Sequence, residues 1–300
     1  KPPGWRPADV AQRWPKPVFD ITQVQIYDPP LARSAMLFAG AGFAVLLAGV
    51  AIVLWFAHLL DAAAVSVWSA ALAITFWTLG AVLQSRLSIL AALFIQCAAL
   101  ATATGALGPQ EWHFLLKPMT MVLALLLVMR GRDTGPGDLK PGHYLLIAAL
   151  IGSLLGDVFL MLPGNWFIPG LASFFIAHLF YIALFHLDQR WFPSRIALVA
   201  TLALGTAMLA YLWSGLGDPD LKGAVTAYVA AICLMAAQAS GRATVLRDRA
   251  SVLVALGACV FMVSDTLIAI NRFVAPVPLA SLWILSTYYL AQVLIVLHAP

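Results

Sequence analysis

Residues 142–162 read GHYLLIAALIGSLLGDVFLML, apolar almost throughout, with one carboxylate, Asp157, near the end. A helix rises about 1.5 Å per residue, so a run of this length crosses the roughly 30 Å of hydrocarbon in a bilayer. A transmembrane strand would instead alternate apolar and polar residues. The stretch therefore predicts a membrane-crossing helix that carries an acid inside it.

The same pattern recurs on both sides. Ten candidate spans fall at about 35–60, 64–84, 87–107, 113–130, 142–162, 167–187, 194–214, 221–240, 251–271 and 279–298. The breaks carry turn chemistry: Gly108-Pro109, Pro136-Gly137, Pro163-Gly164-Asn165 and Gly217-Asp218-Pro219. Spans two and three meet at Gln84-Ser85-Arg86 with almost no loop. The expected fold is all-α, a polytopic helical membrane protein of about ten transmembrane helices.

Composition excludes a soluble domain. The 300 residues are 62% hydrophobic and 10% charged, against about 25% charged in soluble domains. The net charge of +4 belongs to loops and implies no nucleic-acid partner. With the N-terminus in the cytoplasm, fourteen of the seventeen Lys and Arg fall in cytoplasmic segments. Lys222 and Arg272 fall on the other side, and Lys117 lies just inside the fourth span. A count wrong by one helix would scramble this alternation. An even number of spans is thus expected, with both termini cytoplasmic, in a bacterial inner membrane or, for a eukaryotic source, the endoplasmic reticulum.

Residues 1–33 are polar and Pro-rich and read as a cytoplasmic arm. Their charged region is too long for a signal peptide. The chain opens at Lys1 rather than Met, so trimming is expected. Residues 34–86 form an expected accessory hairpin, and 87–300 an eight-helix core. Cys97, Cys233 and Cys259 lie in apolar runs without metal-ligand spacing and read as small core residues. No His-Glu-x-x-His pair, phosphate-binding Gly-rich loop or Gly-x-Ser-x-Gly elbow is present. No metal and no cofactor are expected.

Of thirteen acidic residues, eleven lie in the arm, in loops or at span edges; the other two are Asp157 and Asp265. A mid-span ionisable group costs roughly 2.5–3.5 kcal/mol on insertion scales, so it marks a functional site unless a neighbouring helix simply hydrogen-bonds it. By helical rise the two acids lie about 8 and 9 Å below the same, non-cytoplasmic surface. They are expected to face each other across a cavity open to that side. Two carboxyls sharing such a pocket do not both ionise easily: one keeps its proton and the other is left as an anion. That division of labour is what general acid–base catalysis needs.

Other polar side chains fall at nearby depth. Lys117 either snorkels to the headgroups or reaches the site. His178 and Tyr181 share a helix face, and a lone His on an apolar helix is commonly an interhelical hydrogen-bond partner. Tyr228, Tyr288, Tyr289 and Gln292 either complete a polar lining or pack with a satisfied polar tip.

Five stretches carry a resemblance. They are Lys117-Pro118-Met119-Thr120; residues 153–162 around Asp157; Phe174 through His178 to Tyr181; Gly257 through Asp265; and Thr287 through Gln292 to Ile295. Their order and types resemble the YhhN/TMEM86 family of lysoplasmalogenases over roughly residues 87–298. The resemblance implies an eight-spanning core, from which the arm and the first two spans depart. It implies an enzyme that hydrolyses the vinyl ether bond of a lysoplasmalogen or related lysophospholipid, giving a fatty aldehyde and a glycerophospho-base. The family aspartates regarded as catalytic match Asp157 and Asp265. Lys117 would then bind the substrate phosphate, and His178 and the tyrosines would position headgroup or water. The expected partners are that lysophospholipid and the membrane lipids. The competing reading is a proton-coupled transporter or binding protein for a lipid or small amphiphile. Transporters often show matched Gly/Pro-broken helices in two halves, and no such pairing is evident here.

Overall fold

Backbone groups placed in hydrocarbon have no water to pair with, so a continuous apolar run closes its own i to i+4 hydrogen bonds. The computed structural model describes residues 62–130 and 141–300. Nine helices occur among them: α1 Ala62–Leu83, α2 Ile89–Leu107, α3 Gln110–Arg130, α4 Pro141–Met161, α5 Phe167–His186, α6 Arg195–Leu212, α7 Pro219–Leu246, α8 Arg249–Phe273 and α9 Ala280–His298. All nine are long and apolar enough to cross a membrane. The chain is an all-α, multi-pass membrane protein. The nine expected spans from 64–84 onward each fall on one helix. The span at 35–60, the N-terminal arm and the segment 131–140 lie outside the described residues.

Local chemistry sets the boundaries. Ser88 Oγ accepts a hydrogen bond from the Ala91 backbone N–H (3.2 Å), and Ser194 does the same for Ala197. Asp218 caps α7, with Pro219 at its first position. The α1–α2 reversal that has almost no loop is made by Ser85 in the left-handed region, φ 53°. Arg247, also left-handed, ends α7, and the very next residue, Asp248, caps α8 through the Ser251 N–H (2.9 Å). That bond holds the exposed Asp248 carboxyl below the usual carboxylate range.

The helices close on themselves. α2, α3, α4, α5, α7, α8 and α9 pack each against the next, and α9 returns to α2. Helices α1 and α6 stand outside this ring, α1 against α2 and α6 against α7. In lipid, close approach comes from small residues rather than from a hydrophobic drive. A Cβ on Gly156 would run into the Phe174 ring of α5, and one on Gly257 would press on Leu294 and Ile295 of α9.

One boundary differs from expectation. The span expected at 221–240 continues to Leu246. Arg242, expected in a loop, is therefore helical and buried. It forks onto Asp188 in the α5–α6 turn, with N···O distances of 2.7–3.0 Å. One turn earlier, Gln238 accepts from the Phe192 N–H (2.7 Å) and donates to the carbonyls of Phe185 (3.2 Å) and Arg190 (3.1 Å). Polar residues can sit at this helix end because the turn's unpaired backbone groups need them. Gln238→Leu leaves those groups orphaned in a buried place, at about 1–3 kcal/mol. Thermal unfolding in detergent is expected to show a lower midpoint for this variant; an unchanged midpoint would mean that Gln238 does not hold the turn.

Candidate functional site

The α4 acid lies four residues before the end of its helix and is 2% exposed. Lys117 of α3 places Nζ 3.2 Å from Asp157 Oδ1. Tyr288 of α9 donates its hydroxyl to Asp157 Oδ2 (2.7 Å) and touches Met121 Sδ. The charge on Asp157 is thus matched by a cation and a phenol donor, as a buried carboxylate requires. Lys117 neither snorkels nor stays open to a ligand. Its side chain turns into the ring, where it is about one-tenth exposed.

The second acid is held differently. Asp265 Oδ2 accepts a short hydrogen bond from Tyr228 of α7. His178 of α5 brings Nε2 within 3.4 Å of the same oxygen and 3.0 Å of the Tyr228 hydroxyl. His178 is fully buried, and its Nδ1 has no partner. No Lys or Arg pairs with Asp265 among the described residues. Both contacts fall on Oδ2 and leave Oδ1 without a protein partner in this cluster.

Between the two clusters runs a band of rings. His178 meets Phe261 at 4.9 Å between centroids, Phe261 meets Tyr288 at 5.4 Å, and Phe174 packs edge-on against both Phe261 and Tyr288. A polar thread crosses the ring nearby: Tyr181 donates to Gln292 Oε1 (2.8 Å), and Gln292 Nε2 donates to Ser153 Oγ (3.3 Å). Tyr289 brings its hydroxyl beside Thr120 of α3. All nine residues singled out in the sequence thus lie on six helices of the ring, every one but α2. Asp157 and Asp265 are near enough to feel each other's charge.

The expected common cavity is not what forms. A cavity of about 430 Å³ opens among α5, α6, α7 and α8, and Asp265 and Tyr228 line it, but Asp157 does not. Phe261 packs against both His178, which contacts Asp265, and Tyr288, which donates to Asp157, so rings join the two clusters. Phe261 was not singled out in the sequence. It stands four residues before Asp265, on the same helix face, which is the one signal that pointed to it. Ser264 also ties α8 to α9, donating to the Ile284 carbonyl (3.0 Å).

Removing one partner of a buried ion pair strands the other, at about 3–5 kcal/mol, whereas replacing both with neutral groups is often tolerated. Lys117→Met is therefore expected to lower the unfolding midpoint sharply, and Lys117→Met combined with Asp157→Asn to recover much of the loss. Thermal unfolding of the two variants checks this. A double variant no better than the single one would refute the pairing.

The sequence matches the family described as "YhhN family" over residues 112–299, from the first turn of α3 almost to the chain's last residue. It is 36% identical over 187 residues to a Sus scrofa protein named lysoplasmalogenase TMEM86B, covering 62% of this chain and 74% of that one. It is 34% identical over 197 residues to Homo sapiens lysoplasmalogenase TMEM86A, covering 63% and 79%. A Mycobacterium bovis lysoplasmalogenase is 34% identical over 156 residues, covering 50% and 58%. No solved structure matches the chain. With the matched residues taking in both carboxylate clusters and every helix of the ring except α2, this chain belongs to the YhhN family.

Proposed function

We propose that this protein is a membrane-embedded lysoplasmalogenase, an enzyme that hydrolyses the vinyl ether bond of a lysoplasmalogen or a closely related lysophospholipid. The products are a fatty aldehyde and a glycerophospho-base. The names of its relatives support the reaction class. The observation that carries the mechanism is the unequal treatment of the two acids: Asp157 is locked to Lys117 and sealed from the cavity, while Asp265 lines it.

On this reading the two acids divide the roles. Asp157, as the anion, makes a second negative charge on Asp265 costly. Asp265 accordingly carries the proton and is the general acid. It gives that proton to the β-carbon of the vinyl ether, and the electron pair of the double bond forms the new C–H bond. The cation left behind is shared between the α-carbon and the ether oxygen. The carboxylate now on Asp265 and the field of Asp157 favour this cation. Water adds to the α-carbon and returns a proton to Asp265. The hemiacetal then collapses, its hydroxyl proton passing to the departing ether oxygen. One water is consumed and the enzyme is restored. Glycosidases handle a similar cation with a carboxyl pair.

His178 and Tyr228 hold Asp265 Oδ2 and so direct Oδ1 to the substrate. Tyr288 with Lys117 fixes Asp157, Tyr181 and Gln292 tie α5, α9 and α4 together, and Tyr289 packs beside Tyr288. Lys117 acts as the counter-ion of Asp157 rather than as a phosphate ligand. Loop charges support a cytoplasmic side for both termini, in a bacterial inner membrane or, for a eukaryotic source, the endoplasmic reticulum.

Purified protein given a lysoplasmalogen is expected to release aldehyde. Asp265→Asn and Asp157→Asn are each expected to lower the rate by about 100- to 10,000-fold, the usual worth of a positioned acid or base. Full activity in both variants would remove the acid–base mechanism.

A further inference from the structure

The mechanism leaves the cavity beside Asp265 unexplained. It is far larger than a proton donor and one water need. Its walls come from Leu171 of α5, Met208 of α6, Ile232 of α7 and Ala269 of α8, and the lining is apolar apart from Asp265, the Tyr228 hydroxyl and two threonines. It lies outside the closed ring, in the space left because α6 packs well on α7 but only sparsely on α8. Leu204 on α6 and Val263 on α8 belong to its lining and are 65% and 50% exposed. Both are near the middle of their helices. A gap at that height in a spanning bundle faces the hydrocarbon interior of the bilayer, not water or headgroups.

From these observations we infer that the cavity is a side-entry site for a single unbranched hydrocarbon chain of a membrane lipid, which slides between α6 and α8 until its headgroup-proximal end stands at Asp265. The occupant follows from what can reach the opening. At that depth the available molecules are lipid chains. A volume of about 430 Å³ within apolar walls holds one long chain, not the pair of a diacyl lipid. Chains are as comfortable in lipid as against Leu and Met, so the walls add little drive to binding. Their effect is on position and on the length of chain accepted. This subsite rests on the proposed hydrolysis for its meaning, since it tells which lipid presents its first chain bond to the acid. Its occupancy can nevertheless be read without any turnover.

Cys259 supplies the reading. It lines the cavity and is exposed, whereas Cys97 and Cys233 are buried, and these are the chain's three cysteines. In vesicles of diacyl phosphatidylcholine, a bilayer-soluble maleimide is expected to modify Cys259, and Cys259→Ser to abolish the modification. Adding a saturated 1-O-alkyl lysophosphatidylcholine, which has no vinyl ether to cleave, is expected to slow the modification several-fold. Ala269→Phe and Met208→Phe fill the cavity from opposite walls. Each is expected to remove most of that protection and, where aldehyde release is measured, to move the preferred substrate to shorter chains with the carboxylates untouched. A modification rate indifferent to the single-chain ether would overturn the subsite. So would protection equally strong in both filled variants, or protection matched by extra diacyl lipid. Protection without any aldehyde release would sink the hydrolase reading and leave the chain site standing.

Discussion

A carboxylate in hydrocarbon is tolerated only if something inside the protein replaces the water it has lost, and here that something is the amine of Lys117 at 3.2 Å from Asp157. The pair links α3 to α4, and the Tyr288 hydroxyl draws α9 to the same point from across the ring. Two consecutive helices and the last helix of the chain are thereby held to one site. Pro118, directly after Lys117, lies within α3 and gives the helix a residue with no N–H for its ladder. Close by, Thr120 Oγ1 donates to the Leu116 carbonyl and the Cys97 thiol reaches the same oxygen from α2.

Asp265 is held differently, with Tyr228 and His178 crowding one oxygen. The same residue type thus has two environments, one with a lysine at the carboxyl and one with a phenol and an imidazole. The aromatic band of Phe174, Phe261 and Tyr288 lies between the environments, and the two acids are within each other's field. Low dielectric makes that field felt over a distance that water would screen. The rings therefore do more than fill volume. They join the two clusters, with Phe261 packed against both His178 and Tyr288.

The placement of α6 gives the bundle its asymmetry. A ring of seven helices is complete without it, and its own buried residues are few: Thr201, Gly205 and Leu212. Gly205 allows α6 to lie against Cys233 and Val229 of α7, where any Cβ would collide. Gly205, Val229 and Cys233 at this contact also line the cavity, which opens where α6 packs only sparsely on α8. A helix that looks accessory by its packing thus shapes a large apolar space that reaches the acid.

Most of the architecture was legible before any coordinates. Continuous apolar runs, Gly/Pro breaks and the distribution of Lys and Arg give the spans, because bilayer thickness and backbone pairing leave a chain few alternatives. The cost of an intramembrane charge singles out Asp157 and Asp265 for the same reason. Where sequence reading fell short, a tertiary contact had intervened. Arg242 looked like a loop residue because only Asp188, 54 positions away, makes it worth burying. Lys117 could not be assigned between headgroup and site, since its partner lies on the next helix. The two acids looked like sharers of one pocket because depth follows from helical rise, whereas the azimuth of each side chain and the rings that join the two clusters follow from packing. Sequence determines what each helix must hide; only the assembled bundle decides which neighbour hides it.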